Sequence, residues 1–166
     1  VSEQQQQPGQ QDERDERDER DERDEQAEQA EQDEQDEQAE QDERAIEELA
    51  GRLFEAARTG DAETLGRYVD AGLPANLAND RGDTLLMLAA YHGHADAVRA
   101  LLARGADPDR ANDRGQTPLA GAVFKSEREV VAALVTAGAD PDAGTPSARE
   151  AARMFGKEDM LSATGG

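Results

Sequence analysis

Apolar side chains are almost absent from the first quarter of the chain and then arrive in short, regular clusters. Residues 1–44 offer only Val1, Ala27, Ala30 and Ala39. From Ala45 onward, one set of clusters spaces small and apolar residues as one face of a short helix does: Leu53, Phe54, Ala56 and Ala57; Leu85, Leu86, Leu88, Ala89 and Ala90; Leu119, Ala122 and Val123. Each is followed by a tight-turn position, at Gly60, Gly93 and Ser126. A second helix is predicted after each turn, over 62–71, 95–104 and 127–137, with Leu65 and Val69, then Val98, Leu101 and Leu102, then Val130, Val131, Leu134 and Val135 on its apolar face. Asp61 and Ser126 are good N-cap residues, and Ser126 with Glu129 has capping-box spacing. Gly72, Gly105 and Gly138 close the second helices, and an Asp/Asn/Gly-rich stretch turns the chain into the next pair.

The pairs recur with a period of 33 residues: Gly82 and Gly115, Thr84 and Thr117, Gly105 and Gly138. Asn79-Asp80-Arg81-Gly82 returns as Asn112-Asp113-Arg114-Gly115, and Ala106-Asp107-Pro108 as Ala139-Asp140-Pro141. A fixed period of this length marks a stacked array, in which each helix pair buries its apolar face on its neighbours.

The motifs resemble the ankyrin repeat. Thr117-Pro118-Leu119 matches that family's Thr-Pro-Leu-His, with Ala120 in place of His, and Thr84-Leu85-Leu86-Met87 keeps the Thr and one Leu. Gly93-His94, Leu101-Leu102 and Gly105-Ala106-Asp107 also stand at ankyrin positions. The resemblance covers about 45–163. It implies an all-α solenoid of about four helix–turn–helix units, 45–78, 79–111, 112–143 and 144–163, with residues 164–166 as a frayed end. The outer units look like caps. Gly51 stands at the Thr position of the first unit, and Ser147, Ala152 and Gly156 answer to Thr117, Ala122 and Ser126 in a shortened last unit.

Charge separates the first 44 residues from the rest. The 166-residue chain has 39 acidic residues against 18 Lys and Arg, a net charge of −21. Residues 1–44 hold 20 acids and 5 Arg, a net of −15; residues 45–166 hold 19 acids and 13 bases, a net of −6. The tail repeats in triplets, DERDERDERDER over 12–23 and DEQ or AEQ beyond. A period of three builds no stripe on a helix of 3.6 residues per turn, and nothing apolar offsets the ordering entropy of about 1–2 kcal/mol per residue. Yet Glu13–Arg17, Glu16–Arg20 and Glu19–Arg23 are helix-supporting pairs, and no Gly or Pro falls between Gln10 and Gly51. The expectation is a disordered or transiently helical acidic N-terminal tail.

Charge and composition also narrow the function. A polyanion is repelled by nucleic acid and anionic membranes. The chain lacks cysteine, so thiol chemistry and cysteine-held metals are excluded. Residues 1–10 have no secretory-signal pattern, and the longest apolar run, 85–91, is far short of the roughly 20 residues of a membrane span. A cytoplasmic monomer is expected. Arg outnumbers Lys 16 to 2, which suggests GC-rich coding and a bacterial source.

Little in the sequence points to catalysis. His92 and His94 stand two apart and do not share a helix face. His94, after the turn glycine, is structural by the resemblance, and His92 is expected to be exposed. Ser126 and Ser147 read as helix starts, and the Asp groups at 80–83 and 107–109 lack EF-hand spacing. No enzyme activity, cofactor or metal is expected. The resemblance instead implies a concave face, built from linker fingers and the ends of the first helices, that binds another protein. Carried over by register, the finger residues are Asp80, Arg81 and Asp83, then Asp113, Arg114 and Gln116; the helix-end residues are Arg58, Tyr91, His92, Phe124 and Lys125. Tyr91 and Phe124 are 33 apart and are expected to stack. The alternative is a charge-based regulator, whose acidic tail covers or competes for a basic partner as a nucleic-acid mimic does.

Overall fold

The computed structural model describes residues 8–162, so the C-terminal segment 164–166 and the first seven tail residues lie outside the described residues. Eight helices are present among them: α1 (Pro8–Thr59), α2 (Ala62–Asp70), α3 (Leu85–Tyr91), α4 (Ala95–Leu102), α5 (Pro118–Phe124), α6 (Arg128–Thr136), α7 (Ala148–Phe155) and α8 (Asp159–Ser162). The chain divides into two units between Glu48 and Leu49.

The first unit is helical. Every side chain from Gly9 to Glu48 is exposed, as an all-polar triplet repeat requires. Local pairs support it, among them Gln29 Nε2 to Asp33 Oδ1 at 2.8 Å and Arg23 to Glu19 at 3.4 Å. Exposed pairs of this kind contribute a few tenths of a kcal/mol each.

The second unit is an all-α solenoid in two layers. The end of α1 (from Leu49), α3, α5 and α7 form the inner layer; α2, α4, α6 and α8 form the outer one. In the inner layer α3 packs on α5 and α5 on α7; in the outer, α2 packs on α4, α4 on α6 and α6 on α8. Each repeat is held internally by α3 on α4, α5 on α6 and α7 on α8. One continuous core runs through the stack, from Leu53 and Leu65 through Leu85, Leu86, Val98 and Leu101 to Leu119, Val131, Leu134 and Met160. Alanines at the layer interface (Ala57, Ala89, Ala90, Ala122, Ala152) are fully or nearly fully buried, and their small side chains let the two layers approach.

Helix starts follow the register. Thr84 and Thr117, both buried, accept hydrogen bonds from the N–H groups of Met87 and Ala120, and Pro118 fills the first helical turn. Ser147 and Glu150 make a full capping box at α7. Asp61 caps α2 through the Thr64 N–H.

Ser126 departs from expectation. It does not cap α6: the N-cap is Glu127, and Ser126 occupies the left-handed turn at φ 63°, in the place of Gly60 and Gly93. The chain needs a reversal there, and the backbone requirement overrides the capping preference of the side chain. Two of the three turn glycine positions also give room to the following repeat. A Cβ on Gly60 would lie 2.5 Å from the His94 ring, and one on Gly93 would lie 2.5 Å from the Glu127 carboxylate. Ser126→Gly is therefore expected to stabilise the second unit by about 1 kcal/mol, by removing left-handed strain; thermal melts of the two proteins check it, and a lower melting temperature for the glycine variant would show that the Ser126 side chain contributes more than the strain.

Ion pairs tie repeats on the outer surface. Arg104 grips Asp70 with Nε at 2.9 Å and Nη2 at 3.1 Å, one repeat away. Those hydrogen bonds hold the Asp70 carboxyl below its ordinary value, and the guanidinium charge adds to them. Arg128 reaches Asp159 at 2.8 Å in the same way.

Candidate functional site

The linkers between helix pairs are built on two asparagines. In the first finger the Asn79 N–H donates to the Asp83 carbonyl at 3.0 Å and the Gly82 N–H to the Asn79 carbonyl at 2.9 Å. Asn79 Oδ1 accepts the N–H groups of Arg81 and Asp83, both at 3.0 Å. The second finger repeats this around Asn112, whose Oδ1 accepts from Arg114 and Gln116 at 3.0 Å. A side-chain amide thus organises each turn from within.

The fingers are also bonded to each other. The Asp113 N–H donates to the Arg81 carbonyl at 3.0 Å, and Asn112 Nδ2 donates to Asp83 Oδ1 at 2.8 Å. The Thr145 N–H continues the stack by donating to the Gly115 carbonyl at 2.8 Å. On the opposite edge of the linkers, Asp107 N–H bonds Asn76 Oδ1 at 2.8 Å and Asp140 N–H bonds Asp109 Oδ1 at 2.7 Å. The Asp107 carboxylate accepts the Asp109 N–H within its own turn at 2.9 Å, and that of Asp109 bridges to the next repeat. The fingers form a ladder, and their tips are held one repeat apart.

Between this ladder and the inner helices runs a groove of about 560 Å³. It gathers Arg58 from α1, Asp80, Arg81 and Asp83 from the first finger, Tyr91 and His92 from the end of α3, and Arg114 and Gln116 from the second finger. Asp113, Phe124 and Lys125 lie outside it. Asp113 serves the finger stack through its backbone, and Lys125 holds its ammonium 5.1 Å from the centre of the Tyr91 ring. Phe124 lines a second, apolar groove of about 270 Å³ with Met154, Phe155 and Pro146; the two grooves meet at Met87, Tyr91 and Gln116.

Tyr91 and Phe124 do not stack as the register suggested. Tyr91 pairs edge-on with His92 at 5.5 Å, and Phe124 pairs edge-on with Phe155 at 5.3 Å. α7 packs on α5 as α5 packs on α3, and its Phe155 reaches Phe124. Both rings stay accessible, 39% for Tyr91 and 50% for Phe124. His92 is exposed, whereas His94 Nε2 donates to the Arg58 carbonyl at 2.7 Å and links two repeats.

Charge in the main groove is uneven. Arg99, Arg104, Arg128 and Arg149 elsewhere on the unit each pair with a carboxylate, whereas Arg67, Arg110 and Arg153 make no ion pair among the described residues. Arg81 and Arg114 at the finger tips make no ion pair with Asp80, Asp113 or any other described residue. Asp83 spends one carboxylate oxygen on Asn112. Arg58 has the exposed Glu55 at 3.5 Å, a contact of little energy. Among the described residues no group of three or more His, Asp or Glu comes together as metal ligands would, and no helix is long and apolar enough to cross a membrane.

Sequence reasoning missed Met154, Phe155 and Pro146 as neighbours of Phe124, because the last linker breaks the 33-residue register. It also missed the finger-stacking role of Asn112. A signal for that was present, since Asn79 and Asn112 recur one period apart.

The family model for ankyrin repeats, three copies long, matches residues 53–145. A protein of Pseudomonas aeruginosa described as an ankyrin repeat protein is 50% identical over 48 residues, 29% of this chain and 28% of that protein. The chain thus spans under a third of that relative in the matched stretch.

Proposed function

Because the chain belongs to the ankyrin-repeat family, we propose that its second unit is a non-catalytic module that holds a partner protein in the concave groove between the finger ladder and the inner helices. Ankyrin repeats generally mediate protein–protein interaction. The observation that supports this groove over the rest of the surface is its convergence of exposed anchors on a rigid frame. Arg58, Arg81, Arg114 and Tyr91 come from three successive repeats, and hydrogen bonds between fingers fix the backbone spacing of Arg81 and Arg114. Arg and Tyr are the residue types that dominate binding hot spots. Pre-ordered anchors lose little entropy on binding. In this reading the protein works as a cytoplasmic monomer and does not take nucleic acid, since its charge repels phosphate.

The test is affinity capture with the full chain against Tyr91→Ala plus Phe124→Ala. Partner affinity is expected to fall about tenfold, which is about 1.4 kcal/mol. Unchanged capture of every partner would remove the concave face as the site.

The first unit, exposed from Gly9 to Glu48 and dominated by acidic side chains, favours a second reading, in which the acidic segment covers a basic partner. That binding would be steeply salt-dependent, because attraction is screened within about 8 Å at physiological ionic strength. Capture that persists after removal of residues 1–44 excludes it.

A further inference from the structure

The two grooves differ in chemistry and are joined. The larger is lined by Arg58, Arg81 and Arg114 against Asp80 and Asp83, the smaller by Phe124, Phe155 and Met154, and Tyr91 stands at their junction. We infer that the partner presents an acidic segment carrying a bulky apolar side chain, with its carboxylates on Arg81 and Arg114 and the apolar group between Phe124 and Phe155. This deepens the proposed function and rests on it.

Three observations carry the inference. First, Arg81 and Arg114 stay unpaired in a chain where acids outnumber bases 39 to 18. Nearby carboxylates are abundant, yet the fingers do not present them to these two side chains. Of the two acids that line the groove, Asp83 has a carboxylate oxygen held in the ladder by Asn112 Nδ2, which leaves Asp80 against three arginines. Second, the ladder bond from the Asp113 N–H to the Arg81 carbonyl fixes the two arginines in register on adjacent tips. Two planar, always-charged groups at a fixed interval suit successive carboxylates, which they bind in bidentate fashion. Third, the neighbouring groove holds about 270 Å³ and keeps large apolar side chains accessible, Met154 at 70% and Phe155 at 48%. That space accommodates a bulky apolar side chain. The net charge of the chain also disfavours unselective anion binding, so an acidic ligand must gain from both grooves to stay bound.

The test uses the full chain and a displayed library of random peptides, selected at physiological salt. Enriched peptides are expected to combine excess Asp and Glu with one bulky apolar residue. Their affinity should fall about tenfold for Arg81→Glu plus Arg114→Glu. It should fall separately for Gly121→Leu, which fills the apolar groove: Gly121 lines it, and a Cβ there meets Tyr91 only at an ordinary 3.6 Å. Both changes are on accessible surface, and urea unfolding of each variant checks that the fold is retained. Enriched peptides that are neutral or basic, but still lost in Tyr91→Ala plus Phe124→Ala, would overturn the acidic partner and leave the groove as the binding site. Absence of enrichment, or enrichment indifferent to all three variants, would overturn both.

Discussion

Leu119→Ala is expected to lower the unfolding free energy of the second unit by about 3 kcal/mol. Leu119 is fully buried on α5, the inner helix that packs between α3 and α7 and against α6. Truncation leaves a void in the core at the helix that three others pack against. The helices around it are pinned by their own caps and turns, so they cannot collapse into the space. A stacked array has no core apart from its interfaces, and loss at a central interface weakens the repeats on both sides. Against a total of about 5–15 kcal/mol for a domain of this size, such a loss is severe. Urea unfolding should show a lower midpoint with an unchanged slope. A loss under 1 kcal/mol would mean that the repeats at either end are stable without the centre.

Gly82→Ala is expected to cost about 2 kcal/mol and to loosen the finger ladder. Two effects add. Gly82 is at φ 76°, where an L side chain is strained. A Cβ there would also lie 2.9 Å from the Asp113 backbone nitrogen, the donor of the bond that joins the fingers. Gly72→Ala separates the two effects. Gly72 has φ 111°, but nothing lies within 4 Å of a Cβ built on it, so its substitution carries backbone strain alone. The Gly82 variant should be the less stable, and the Asp113 amide should exchange hydrogen faster in it. Equal costs for the two variants would show that the fingers are not held to each other through this contact, and the fixed spacing of Arg81 and Arg114 would lose its support.

The repeat was legible in the sequence because one physical requirement recurs every 33 residues. Thr84 and Thr117 cap inner helices, and Leu86 and Leu119 are buried. Most of the candidate surface was legible too, since register alone placed Arg58, Arg81, Tyr91 and Arg114 on successive units, and all four border one groove. The errors fall where a side chain has two roles. Ser126 is a good cap, and at its position the chain needed a left-handed turn more. Phe124 was matched to Tyr91 by period and found Phe155, which α7 brings from the other side of α5.

By itself the sequence determined the all-α repeat, its layers and the split between a highly charged N-terminal segment, expected to be disordered or only transiently helical, and a domain with a buried core. These depend on local periodicity and on the cost of burying polar groups, both readable along the chain. Only the tertiary structure decided which surface groups are spent and which are free. Asp83 and Asn112 are 29 residues apart, and nothing local says that their hydrogen bond turns the carboxylate into the ladder while Arg81 and Arg114 stay unpaired. That choice is made by packing between repeats, where alternatives of similar local energy are separated by distance and direction in space.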